Sequence, residues 1–158
     1  MKKSILSSLI AGTMLASSII GISAAESQYP NYAEGENNSN LLIVTYATGL
    51  IANCSVSFSV SNKTLTISGY TNGSEVLKQI GFKDIKVERS SNGTSWTTEK
   101  NLGDFLSNDK KNYTLSTDTT VTGGYYYKIT CTHYAKEDTF WFPTTQSISN
   151  TTSYVWIS

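Results

Sequence analysis

The feature that most constrains the fold is an alternation of apolar and polar residues that repeats along the chain with a period of two. Residues 54–60 (CSVSFSV) alternate apolar side chains with serines, and residues 64–67 resume the alternation after a short turn. In residues 125–134, Tyr, Ile, Cys and His occupy one phase and Tyr, Lys and Thr the other. This period is typical of a β-strand with one buried and one solvated face.

Further strand patterns occur at residues 41–47, at 85–98, around Tyr113 and Leu115, and at Val155 and Ile157. Together they indicate about seven to nine short strands, which predicts an all-β fold. A β-sandwich is the main expectation and a small barrel the alternative.

Residues 71–84 depart from the strand pattern. Ser74 is suited to cap a short helix, Val76, Leu77 and Ile80 fall at helical spacing, and Gly81 is suited to end it. One or two helical turns are predicted here, with an irregular crossover as the alternative.

The N-terminal 25 residues have the pattern of a secretory signal peptide. Lys2 and Lys3 precede an apolar stretch, and Ser23-Ala24-Ala25 offers the small residues of a cleavage site. An uncleaved membrane anchor is the alternative. We therefore expect a signal peptide at 1–25, a flexible polar leader at 26–40, and one domain at 41–158 of a protein secreted to the extracellular space.

Charge limits the possible partners of the exported chain. Loss of Lys2 and Lys3 would leave 10 of the 12 basic residues against 12 acidic ones, a net charge of −2. Phosphate binding needs clustered Lys and Arg, so no nucleic-acid partner is expected. No later apolar run is long enough for a transmembrane segment.

Two segments carry a resemblance to known proteins. Residues 85–98, with a basic residue, an Asn-Gly turn and a Trp in that order, are similar to the paired central strands of fibronectin type III-like domains, and residues 124–135 resemble a late strand of that sandwich. Together with Trp141-Phe142-Pro143 and residues 147–151, they resemble a family of small secreted proteins of Gram-positive bacteria that has no assigned function. The resemblance implies an immunoglobulin or fibronectin type III-like sandwich and export, and it carries no active site.

The two cysteines, Cys54 and Cys131, lie on the apolar phases of separate strands. In an immunoglobulin-like sandwich this placement is that of the inter-sheet disulfide, so a Cys54–Cys131 bond is predicted. Two buried free thiols are the alternative.

Catalytic chemistry finds little support in the sequence. His133 is the only histidine, so no histidine-based metal cluster is expected. No Gly-x-Ser-x-Gly elbow accompanies it, and no cofactor motif is present. A carboxylate pair for glycoside hydrolysis could form only by convergence in space. We predict a protein that is not an enzyme.

Aromatic side chains provide the better functional hypothesis. Phe140, Trp141 and Phe142 follow one another, and Tyr126 and Tyr134 share the outer phase of the preceding strand. Such rings stack on sugars or anchor protein contacts. The predicted function is a secreted, non-catalytic binding module for cell-wall or extracellular glycan. The alternative is a protein–protein module, such as an adhesin subunit, an inhibitor or a protective factor.

Two other interpretations of these rings remain open, namely cross-strand pairing that only stabilises the sheet and a membrane-touching tip. Trp96 and Trp156 are expected to pack in the core or at its rim.

Overall fold

The computed structural model describes residues 49–138 and 142–158, and for residues 42–45 it describes the backbone. These residues form an all-β structure, which confirms the predicted fold class. Its seven strands are β1 (Leu42–Thr45), β2 (Ile51–Ser61), β3 (Thr64–Ser90), β4 (Thr97–Thr120), β5 (Tyr125–Asp138), β6 (Pro143–Thr151) and β7 (Val155–Ile157).

All strand pairs are antiparallel, and the long strand β3 divides the sheet into two halves. Its first part pairs with β2 along one edge, whereas residues 79–90 pair with β5 along that same edge. Strand β4 follows the opposite edge from Thr64 to Arg89. One half therefore contains β2, the start of β3 and the end of β4, and the other contains the start of β4, the end of β3 and β5.

Strand β5 carries the last two strands on its second edge. Strand β6 pairs with residues 130–138 and β7 with residues 125–127. The Ile51 amide donates a 2.8 Å hydrogen bond to the Gln146 side-chain oxygen, which joins β2 to β6 across the curl of the sheet.

The core lies between the two halves. In β5 and in the regular parts of β2 and β3, buried apolar side chains alternate with more exposed ones, as period-two patterns require. The main cluster joins Val56, Leu65 and Ile67 of the first half to Phe82, Val87 and Ile129 of the second. A smaller cluster contains Ile51, Cys54, Leu77, Ile80, Ala135 and Ile148.

The helical turn predicted for residues 74–80 is wrong, because these residues belong to β3. Leu77 and Ile80 are both buried and three residues apart. The strand crosses between the halves here, with a register shift between Asn72 and Leu77, so burial does not follow period two. The backbone of residues 77–80 pairs with β4, and the spacing of Leu77 and Ile80 results from the passage of the strand between the two halves.

Strand β3 passes Gly81 at this crossing, with a φ of 149°. A Cβ atom there would lie 2.1 Å from the carbonyl oxygen of Phe105 on β4. Asp84, with a φ of 52°, marks a second irregularity just beyond it. The bend thus depends on a residue without a side chain.

The Asn92-Gly93 turn is confirmed within the β3–β4 connection, although that connection is longer than a two-residue hairpin loop. The closing strand expected at Val155 and Ile157 is confirmed as β7. Within the described residues, no helix is long and apolar enough to cross a membrane.

Candidate functional site

Four aromatic side chains form a continuous group at the β7 end of the sheet. We call Trp96, Tyr126, Tyr154 and Trp156 the aromatic cluster. The ring centroids of Trp96 and Tyr154 are 5.5 Å apart, those of Tyr154 and Tyr126 are 5.6 Å apart, and those of Tyr126 and Trp156 are 4.9 Å apart. Their interplanar angles of 53°, 82° and 66° are the tilted and edge-to-face geometries that aromatic pairs prefer.

The strand register brings these rings together. Tyr126 of β5 is directly opposite Trp156 of β7, and Tyr154 immediately precedes β7. Directly opposed residues of antiparallel strands lie on the same face, so both rings project from the outer face of β5. Trp96 reaches them from the connection between β3 and β4.

The loop that carries Trp96 is fixed by its own hydrogen bonds. The side-chain oxygen of Asn92 accepts from the backbone amides of Thr94 and Ser95 at 3.0 and 2.9 Å. The Ser90 hydroxyl oxygen accepts from the Gly93 amide at 2.9 Å. A loop held in this way presents Trp96 without an ordering cost on binding.

The aromatic cluster is open to solvent on its outer side. Trp156 is 48% exposed and Tyr154 37% exposed, although Ile157 beside them is buried. Because the rings touch one another, they do not enclose a cage, and a ligand must lie across them.

The cluster has one charged border. The Lys128 ammonium lies 4.4 Å from the centroid of the Trp96 ring and forms a 3.4 Å ion pair with Glu88. The paired charges compensate each other, so this border favours neither a cation nor an anion.

The residues predicted from the sequence fall in several places. Tyr126 belongs to the aromatic cluster. Tyr134 lies eight residues further along β5, where the Lys83 ammonium is 3.7 Å from its ring centroid. Phe142 is 77% exposed. Phe140 and Trp141 lie outside the described residues, so a binding surface formed by Phe140, Trp141 and Phe142 stays a prediction.

The sequence interpretation missed Trp156. The sequence predicts that Trp156 packs in the core or at its rim, whereas it lies on the outer phase of β7 and is 48% exposed. The signal was present, since Val155 and Ile157 had been recognised as a strand and the residue between them must take the opposite face.

His133 is buried and forms hydrogen bonds through both ring nitrogens. Its Nδ1 lies 2.8 Å from the Thr71 hydroxyl oxygen, which itself donates to the Gly81 carbonyl at 3.1 Å. Its Nε2 lies 3.1 Å from the Asn150 amide nitrogen. These partners match a neutral ring that donates from Nδ1 and accepts at Nε2. Burial lowers the His133 pKa from 6.5 to about 4.

The predicted Cys54–Cys131 disulfide is wrong, since both cysteines are buried free thiols. Burial raises the pKa of Cys54 to about 11. Burial, and secondarily the neighbouring Cys54, raises that of Cys131 to about 12. Both thiols are therefore protonated at neutral pH and behave as small apolar core residues.

A second polar cluster ties the β4–β5 connection to the sheet. Glu99 accepts from the Thr122 amide at 3.3 Å and lies 3.4 Å from the Arg89 guanidinium. The Tyr127 hydroxyl is 2.6 Å from the Thr122 carbonyl and 2.7 Å from the Glu99 carboxylate. Each group has a partner within the fold, so this cluster has a structural role.

No group of three or more His, Cys, Asp or Glu side chains suited to a metal ion occurs among the described residues. Comparisons of the chain with protein-family models, with curated proteins and with solved structures found no match.

Proposed function

We propose that this protein is a secreted, non-catalytic binding module that recognises cell-wall or extracellular glycan through the aromatic cluster. The observation that carries the proposal is the contact of four aromatic rings on an outer sheet face, two of them substantially exposed. An exposed tryptophan next to tyrosines offers the apolar ring faces and hydroxyl groups that sugars contact.

Export is part of this proposal. Its support is the N-terminal pattern of Lys2, Lys3 and the apolar stretch that ends at Ala25. The resemblance to small secreted proteins of Gram-positive bacteria is consistent with it and remains part of the proposal.

We also propose that the domain is an immunoglobulin or fibronectin type III-like sandwich. Two features support this assignment. The two halves of the sheet pack their buried faces into one cluster, and β3 and β4 pass from one half to the other. The strand order of one half is β1, β2, β3, β4 and that of the other is β4, β3, β5, with β6 and β7 both paired with β5.

The absence of catalysis rests on the buried state of the catalytic candidates. His133 has no exposed surface and its ring nitrogens are occupied by Thr71 and Asn150. The cysteine thiols have raised pKa values, which disfavours the thiolate that nucleophilic catalysis needs.

A protein partner is the second candidate. It is favoured by β7, which pairs with β5 on one edge only among the described strands and carries exposed Val155 beside the aromatic cluster. An extended peptide could add to this edge by backbone hydrogen bonds and cover the rings.

The test measures retention of the purified protein on protein-stripped bacterial cell walls and on insoluble polysaccharides. Replacement Trp156→Ala should weaken retention about fivefold or more, because an aromatic contact contributes about 1 kcal/mol or more. The matched control is Val76→Ala, which removes a 65% exposed apolar side chain from the β3 crossing. It should leave retention unchanged.

Other variants and competitors separate the alternatives. Loss of retention in Trp141→Ala with full retention in Trp156→Ala would move the site to residues 140–142. Retention on untreated but not on protein-stripped walls, unaffected by soluble glycans, would favour a protein partner and contradict the glycan proposal.

A further inference from the structure

The outer face of the second half of the sheet carries rows of polar side chains beyond the aromatic cluster. Paired positions on β3, β5 and β6 form one row of Lys86, Thr130 and Thr151 and the next of Lys83, Thr132 and Ser149. We call these two rows the lysine face. It lies between the aromatic cluster and Tyr134.

Positive charge is concentrated on this side of the molecule. The outer positions of β3 and β5 hold four lysines, namely Lys83, Lys86, Lys128 and Lys136. Lys128 is paired with Glu88 and Lys136 with Asp138. Among the described residues, no carboxylate lies within ion-pair distance of Lys83 or Lys86.

The corresponding face of the other half has no such charge. Its paired outer positions form rows of Ser57, Ser68 and Ser116 and of Ser59, Thr66 and Asp118. The whole chain has a formal net charge of zero, whereas the outer positions of β3 and β5 hold four lysines against the two carboxylates that pair with them, Glu88 and Asp138. A surface of this kind attracts anions to one face.

We propose that the lysine face binds a polysaccharide that carries carboxylate groups, a polyuronate, with the aromatic cluster holding one end of the same strand of sugar. This inference rests on the proposed glycan-binding function and adds the chemical class of the glycan. Hydroxyl groups of Thr130, Thr132 and Ser149 supply donors and acceptors for sugar hydroxyls. Lys83 and Lys86 supply the partners of the carboxylates.

The dimensions of the face suit an extended polymer. Tyr126 and Tyr134 are eight residues apart on β5, which at the usual strand rise is about 26 Å. The two rows of the lysine face are two residues of β5 apart, or about 7 Å. Two carboxylates along one polymer strand can therefore contact Lys83 and Lys86 at the same time. Lys83 above the Tyr134 ring combines an ammonium group and an aromatic ring at the far end.

A polyuronate fits this charge pattern better than a nucleic acid. Of the four lysines on this face, two have no ion pair among the described residues, and each presents a point charge that suits a single carboxylate. The only arginine, Arg89, is engaged with Glu99 and lies over the Tyr125 ring.

The test compares binding of oligogalacturonate with binding of its fully methyl-esterified form, which has the same sugar without the charge. The double replacement Lys83→Gln and Lys86→Gln should weaken oligogalacturonate binding about tenfold. It should leave the weaker binding of the ester unchanged. The matched control is Lys110→Gln with Lys111→Gln, which removes two exposed lysines from β4 and should bind both polymers like the unmodified protein.

Salt gives a second measurement. Binding of oligogalacturonate should weaken as ionic strength rises, since charges at the surface are screened over about 8 Å at physiological salt. The Lys83→Gln, Lys86→Gln protein should show a flatter dependence than the control.

The outcomes separate the two proposals. Equal binding of oligogalacturonate by the lysine variant and the control would overturn the inference, as would clear preference for a sulfated polymer. If Trp156→Ala still lost binding to a neutral polysaccharide, the proposed function would stand. Failure of every polysaccharide to bind would contradict both.

Discussion

At the scale of single residues, His133 shows how a polar side chain is accommodated in the core. The Thr71 hydroxyl donates a hydrogen bond to the Gly81 carbonyl and can accept one from the His133 ring. The Phe82 ring lies 4.6 Å from the imidazole, centroid to centroid. Protonation would place a proton on Nε2 opposite the Asn150 amide nitrogen, which is a donor, and would bury a charge.

The folding stability should therefore fall in acid. A buried histidine whose pKa is lowered from 6.5 to about 4 binds fewer protons than the unfolded chain, so its contribution is complete above pH 6.5. That contribution is lost as the pH drops toward 4, by roughly 3 kcal/mol in all. Urea unfolding at pH values from 7.5 to 4.5 measures the free energy of unfolding.

Two observations check the origin of this effect. Replacement His133→Gln should flatten the pH dependence between 6.5 and 5, because no other histidine is present. Direct NMR titration of the ring needs no variant, and a midpoint near 6.5 in the folded protein would contradict the buried neutral state.

At the scale of elements, the long strand β3 determines the architecture because it belongs to both halves of the sheet. Its pairing partner on one edge changes from β2, which pairs as far as Gly73, to β5, which pairs from Gln79 onward. Just after this change, at Gly81, the backbone of β4 approaches closely, which a glycine permits.

Replacement Gly81→Ala should therefore destabilise the protein strongly, because the new Cβ would meet backbone that cannot move aside. The matched control is Gly124→Ala, where φ is 88° but no atom lies within 4 Å of the added Cβ. In the control, the free energy of unfolding should fall by only about 1–2 kcal/mol, which is the cost of a residue with a side chain in the left-handed conformation. Thermal unfolding followed by circular dichroism measures the stability of both variants. An equal decrease of the melting temperature in the two variants would show that the close approach of Gly81 to Phe105 is unimportant.

At the scale of the whole molecule, one core joins the two halves. Leu65 belongs to the first half and Ile129 to the second, and both lie fully buried in the same cluster. Neither half can bury its apolar face alone, so they should unfold together.

Replacements Leu65→Ala and Ile129→Ala should each lower the free energy of unfolding by about 2–5 kcal/mol while one transition is preserved. Tryptophan fluorescence and circular dichroism should report the same midpoint in each variant. Separate midpoints, or a variant that unfolds only one half, would contradict a common core.

Local patterns predicted the elements well where a strand stays within one half. Residues 56–60 and 127–134 show the burial alternation that their sequence indicates, whereas Ser55, on the polar phase, is buried. The helical turn predicted for residues 74–80 was wrong. The strand passes from one half of the sheet to the other here, so buried residues no longer occur at every second position, and the spacing of residues along the chain does not reveal that the strand pairs with β4. The disulfide predicted between the two cysteines was also wrong. Their position on the apolar face of each strand predicts that they are buried, but it does not determine whether the two sulfur atoms form a bond.

The candidate site was only partly visible in the sequence. Its outer phase predicts Tyr126 as a site residue, but its neighbours come from two other places in the chain, Trp96 from the β3–β4 connection and Tyr154 and Trp156 from β7 and the residue before it. Tyr134 has the same phase as Tyr126 and still lies beside Lys83, at the other end of the face.

The sequence by itself determined the strand character of this protein and the buried phase of most regular strands, because these depend on residue type and local period. The tertiary structure alone decided which strand each half of β3 pairs with, which aromatic rings come together and which lysines share one face of the sheet. Those features depend on register and on contacts between residues distant in the chain, about which a local pattern holds no information.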